Sequence, residues 1–207
     1  MTVQKGQLEL NILTKMAMLF FIISLSFIAL NISNTEKSAL CGEQALATGK
    51  IIASNINQAL SAPVEDVRIV YKFEQTIAVS KDKFGERYEV LLAEHENPTS
   101  TQFSVVIKPS SDATCERRVS LFYDKSKVQT EFFENGNPIP LQSGISPGEN
   151  VVVLKPSDRD LNKRTKFLVI LKCTDKSAGP GGIIRVKFDN CGNPDASACS
   201  PITICGA

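Results

Sequence analysis

Apolar residues fall along this chain in three regimes. From Met16 to Ile32 they are nearly continuous, broken by Ser24, Ser26 and Asn31 and by no charge. Such a run approaches the roughly 20 residues that cross a bilayer. At the helical rise its seventeen residues cover about 25 Å, and Leu8, Leu10, Ile12 and Leu13 extend it if the Lys15 side chain snorkels. From Ser33 to Ala62 the pattern is striped: Leu40, Ala45, Gly49, Ile52, Ile56, Ala59 and Leu60 recur at steps of three and four, with no proline. That period predicts an amphipathic continuation of the same helix, ending at Pro63, which lacks an N–H and restricts the residue before it. After Pro63 the period shortens to that of strands.

Strands are expected at 67–73, 76–79, 87–93, 102–108, 117–123, 127–133, 151–155, 166–173 and 183–188, separated by segments rich in Gly, Pro, Asn, Asp and Ser. Short strands in succession without an intervening helix imply an antiparallel sandwich. The fold class expected is therefore α+β: a long N-terminal helix, transmembrane and then amphipathic, followed by an antiparallel β-sandwich-like head. In Val67–Phe73 apolar positions alternate with Arg68 and Lys72, as in a half-buried strand. Phe167–Leu171 is apolar without alternation and is expected at the centre of a sheet, with the helix stripe covering its second face. The stretch 134–148, rich in Pro and Gly, reads as a long exposed loop or an edge segment, because Pro138 and Pro140 donate nothing to a ladder.

Composition adds compartment. Six cysteines, Cys41, Cys115, Cys173, Cys191, Cys199 and Cys205, are an even set, three of them crowded into a tail 190–207. That favours disulfides in an oxidising compartment, with connectivity left open, while the alternative leaves one or two as buried thiols. Lys5 and Lys15 precede the apolar run, so the positive-inside rule places the N-terminus in the cytoplasm and the remainder outside. A secretory signal peptide fits less well, since the run is long for one and continues as helix. In 207 residues there is room for one ordinary domain plus an accessory element. A formal net charge of +1 gives no long-range field for a nucleic acid, which is not expected as a partner.

Directly before the apolar helix stands Lys5-Gly6-Gln7-Leu8-Glu9-Leu10. A basic residue and Gly, then Gln and Glu at the mouth of a membrane-length helix, resembles the class III signal peptide of archaeal type IV pilins and archaellins. The resemblance covers about the first sixty residues by motif and layout, and the head by class alone. It implies cutting after Gly6 by a prepilin peptidase, a cytoplasmic leader 1–6, and Gln7 as the mature N-terminus of a helix 7–62 with its span at about 16–32. It also implies a head at 63–189 and a filament in which sister helices pack together. Glu9 is then the assembly residue, since a carboxylate near a helix start is stabilised by the dipole and can pair with a neighbour's terminal amine. Two features depart from the family: Glu9 stands third in the mature chain where the family places its glutamate fifth, and Lys15 interrupts the apolar core. Both keep an uncleaved single-pass anchor presenting a binding module in view.

No catalytic constellation emerges. His95 stands among Glu94, Glu96 and Asn97 and reads as a solvated turn. Cys191, Cys199 and Cys205 lack the close pair of a thiolate metal site. Asp158-Arg159-Asp160 with Asn162 lacks the Gly and distal Glu of a calcium loop and reads as a charged turn. Gly179-Pro180-Gly181-Gly182 leads toward a strand, not a helix, so it is no phosphate cradle. The sequon Asn31-Ile32-Ser33 lies at the end of the span and is not expected to be modified. Neither cofactor nor metal is expected, and the partners expected are membrane lipid, copies of the chain or other pilin-like subunits, and the prepilin peptidase. An extracellular hydrolase is the weakest reading, because no paired acid and base stands out.

Overall fold

The computed structural model describes residues 3–64, 66–78, 85–96, 100–110, 113–124, 126–143, 148–175 and 183–192. A single helix, α1 (Val3–Ser61), carries both the continuous and the striped apolar runs. Its last turn closes with Ala62 N donating to Gln58 O at 3.1 Å, and Pro63 ends the ladder where its missing donor predicts. The chain divides into two compact units, Met1–Ala39 and Leu40–Ala207.

Within the second unit the strands are β1 (Val67–Lys72), β2 (Ile77–Ala78), β3 (Gly85–Glu86), β4 (Tyr88–Glu96), β5 (Thr101–Pro109) and β6 (Arg117–Tyr123). They continue with β7 (Val128–Glu134), β8 (Asn137–Pro138), β9 (Gln142–Ser143), β10 (Glu149–Leu154), β11 (Phe167–Asp175) and β12 (Ile183–Cys191). Two five-stranded sheets result, ordered β1-β11-β12-β7-β8 and β6-β5-β4-β10-β9, with β2 and β3 as a separate small pair. The fold is α+β, one long N-terminal helix followed by a two-sheet head, and all nine expected strands are present. The pairing is not wholly antiparallel: β12 runs parallel to β7, with Phe188 beside Phe132.

The two sheets share one core. Phe103 of β5 stacks on Phe132 and Phe188 of the opposite sheet, with centroids 6.3 and 5.1 Å away, geometry that favours offset aromatic packing. Cys41, Ala45, Ile52, Ala53, Ile56 and Ala59 of α1 enter the same cluster as Val105, Ile107, Leu168 and Ile170. Small residues let the helix lie close to the strands. A Cβ on Gly49 would stand 3.2 Å from Val119 Cγ2 and 3.4 Å from Ile107 Cγ1.

Several expectations are corrected. The helix stripe does not cover the second face of β11: it packs with Leu168 and Ile170, whereas Val169 and Leu171 form a separate cluster with Cys191. Strand alternation puts these two sets on opposite faces. Of the two readings of 134–148, a long loop or an edge segment, the described residues show the second, with β8 and β9 each at the edge of a sheet. The stretch opens as a hairpin between β7 and β8, turned by Asn135 and Gly136 at φ 49° and 79°, the left-handed pair that an Asn-Gly turn supplies. His95 sits on β4, opposite Gln102 and Glu149, and not in a turn, because the hydrogen-bonded ladder extends three residues past the expected strand end. Likewise β12 runs to Cys191, two residues into the expected tail. Residues 193–207 and Gly179 to Gly182 lie outside the described residues.

Candidate functional site

The feature with the largest unsatisfied physical demand is the first half of α1. Fourteen large apolar side chains between Ile12 and Ile32 are exposed, among them Phe20, Phe21 and Phe27 at 65–67 %. At roughly 1.5–3 kcal/mol per fully covered side chain, removing this surface from water is worth on the order of 20 kcal/mol. No side chain of that stretch is buried within the chain, and the helix is long and apolar enough to cross a membrane. Ser26 Oγ donates to Ile22 O at 2.9 Å, so this hydroxyl is satisfied within the helix and asks for no external partner. Lys15 stands exposed within the same helix. The helix also carries Lys5, Gly6, Gln7 and Glu9 near its start, and their side chains lie outside the described residues.

In the second unit the striped half of α1 is seated by polar as well as apolar contacts. Lys172, on the inner face of β11 and 4 % exposed, donates from Nζ to Leu60 O at 3.2 Å and to Ala62 O at 2.5 Å. An ammonium at the carbonyl end of a helix satisfies orphan acceptors and meets the negative end of the dipole. Near the head's other contact with the helix, the Arg117 guanidinium donates to Thr114 O at 2.8 Å and Glu116 O at 2.7 Å. It lies against Gly42, where a Cβ would stand 2.2 Å from Nη2. Cys41 Sγ donates to Glu86 Oε2 at 3.8 Å. Neither Lys172 nor Arg117 stood out in the sequence, because no local pattern shows that these side chains turn onto backbone carbonyls.

The sheets are tied by a second buried polar group. Glu94 Oε1 accepts from Tyr123 Oη at 2.5 Å and from Thr130 Oγ1 at 2.8 Å, which joins β4 and β6 to β7 of the opposite sheet. Asp189 is 1 % exposed and accepts from Gly136 N at 3.0 Å. Burial pushes its carboxyl above the usual range, opposed by the Gly136 and Asn135 amides. These groups hold architecture together and present no nucleophile beside a base.

Of the six cysteines, Cys173 and Cys191 are disulfide-bonded, Cys41 and Cys115 are buried thiols, and Cys199 and Cys205 lie outside the described residues. Asp158, Asp160 and Asn162 form successive side-chain turns, with Asp160 N donating to Asp158 Oδ1 and Asn162 N to Asp160 Oδ1, both at 3.0 Å. Those oxygens are engaged with local amides, the usual device of Asp in turns. Among the described residues no group of three or more His, Cys, Asp and Glu side chains is placed to hold a metal ion. Set against known proteins, the chain matches no family model, no curated protein and no solved structure.

Proposed function

We propose that this chain is a structural subunit of an archaeal type IV pilus-like surface filament, major or minor, processed after Gly6 by a prepilin peptidase. Its span is held in lipid before assembly and by sister helices afterwards, with the N-terminus inside and the head outside. The observation that supports this reading is the exposed apolar sleeve from Ile12 to Ile32 on the same helix whose later residues are built into the head. A sleeve apolar all round is stable in lipid or against copies of itself. N-terminal analysis of protein extracted from membranes or filaments tests it. A chain starting at Gln7 is expected, and one starting at Met1 or Thr2 removes the processing step.

Lys15 favours a second reading, an uncleaved single-pass anchor that presents the head as a binding module. An ammonium near the end of a lipid span can snorkel to the headgroups, whereas the core of a helix bundle offers it no water. Recovery of the chain as repeating subunits of purified filaments rejects this alternative.

A further inference from the structure

The turn 73–76 that leaves β1 and the segment 164–167 that enters β11 wall a cleft of about 400 Å³, within the ~300–1,000 Å³ span of small-molecule sites. Both walls are pinned through their backbones. Phe73 N donates to Lys166 O at 3.0 Å and Thr165 N to Lys155 O at 3.2 Å, while Lys155 N donates to Thr165 Oγ1 at 2.9 Å. On the other wall Tyr88 Oη donates to Glu74 O at 2.8 Å, and Ser157 Oγ donates to Gln75 O. Side chains mounted on such a frame need little ordering when a ligand arrives.

These walls carry an excess of positive charge. Lys72, Arg164 and Lys166 line the cleft, against the carboxylate of Glu74. Arg164 is held by its Nε, which donates to Asp158 O at 3.0 Å. Among the described residues Lys72 and Lys166 enter no hydrogen bond or ion pair through their ammonium groups, whereas Arg118 is paired with Glu149 and Lys187 with Glu131. Like charges gathered in a recess focus their field on its contents, so an anion is the occupant that lowers their energy. The rest of the lining narrows the class. Phe167, which the register sets opposite Lys72, offers a half-buried ring, and Gln75 and Thr76 expose an amide and a hydroxyl.

We propose that this cleft binds an acidic saccharide, a ligand that joins an anionic group, hydroxyls and an apolar ring face in one unit. Its carboxylate is held by Lys72, Lys166 and Arg164. A guanidinium offers a carboxylate parallel donors, and the two ammonium groups add point charges. The sugar hydroxyls meet Glu74, Gln75 and Thr76, with the Glu74 carboxylate accepting their protons, and the apolar ring face lies on Phe167. The site is independent of the filament reading, since it lies wholly in the head and is the same whether the chain starts at Met1 or at Gln7.

Full-length protein in non-ionic detergent micelles, titrated over immobilised polygalacturonate, tests the proposal, with the methyl-esterified polymer as the uncharged reference. The wild type is expected to bind the acidic polymer and not the ester. Lys72→Gln/Lys166→Gln should raise the Kd by about tenfold or more and leave thermal unfolding unchanged, since neither ammonium holds another part of the chain. Lys50→Gln/Lys108→Gln, which removes two exposed lysines outside the cleft, should change the Kd by less than about twofold. No binding of the polymer, equal binding of the ester, or equal losses in the two variants overturns the site. Location is read separately by reductive methylation of lysines: polygalacturonate should protect Lys72 and Lys166, and protection confined to other lysines refutes the assignment. Protection of these two by glycerol phosphate and not by polygalacturonate gives the cleft to a phosphate headgroup and rejects the saccharide.

Discussion

Replacing Lys172 by methionine keeps much of the side chain's volume and removes the ammonium that meets the end of α1. Two hydrogen bonds are lost, to Leu60 O at 3.2 Å and Ala62 O at 2.5 Å. Bonds to a charged group contribute about 1.5–3 kcal/mol each, and a cation at a helix C-terminus adds up to about 2 kcal/mol in a partly buried setting. Against these stands the relief of no longer burying a charge that is 4 % exposed, a term of several kcal/mol. The expected net loss is about 2–3 kcal/mol, or a fall in Tm of about 5–10 °C for a chain of this size. Thermal unfolding of full-length protein in micelles, followed through the near-ultraviolet signal of the tyrosines, reads the head without the span. Native-state hydrogen exchange adds location: amides of 52–61 should lose protection before those of β4 and β5 do. Lys127→Met is the control, since Lys127 makes an exposed 3.6 Å pair with Asp124, worth under about 1 kcal/mol. If Lys172→Met unfolds like the control, with protection of 52–61 unchanged, the ammonium does not hold the helix end and the reasoning fails.

The close seat of Gly49, with Val119 Cγ2 3.2 Å from a Cβ placed there, predicts that Gly49→Leu costs about 2–3 kcal/mol in denaturant titration through overpacking. For Gly49→Ala the helix-propensity gain of about 1 kcal/mol largely offsets the crowding, giving a small change. Glu94→Leu leaves the Tyr123 and Thr130 hydroxyls without their acceptor and should cost about 2–4 kcal/mol, with Glu94→Gln retaining at least half of that; equal losses in the two variants would contradict the geometry. Asp189 has a folded pKa above its ordinary 3.8, so the folded state holds the proton more tightly and stability falls as pH rises from 3.8 through the folded value. The stability of the wild type relative to Asp189→Asn should therefore decline across that window and level off above it; a difference that is flat or rises with pH refutes the burial argument.

Much of this architecture was legible because it is written in short-range pattern. The helix through Met16 to Ile32, long and apolar enough to cross a membrane, could be read from composition alone, since an apolar run without charge has few other stable environments. The stop at Ser61 followed from Pro63, and β6 matched its expected bounds, Arg117 to Tyr123, because alternation and flanking turn residues are local. The Asn135-Gly136 turn was visible too, and the prolines after it pointed to a loop or an edge; β8 is an edge strand, where Pro138 costs the sheet little.

What the sequence determined by itself is the order of elements, a lipid-length apolar helix that continues amphipathically and then a run of short strands, since hydrophobic period and backbone chemistry act between near neighbours. Tertiary structure alone decided which strands meet and what their faces touch. The parallel pairing of β12 with β7, the inward turn of Lys172 onto the helix end and the bridging of two sheets by Glu94 join residues 36 to 112 positions apart. No local period encodes such pairings, because the contacts that reward them form only once the intervening chain has been folded back.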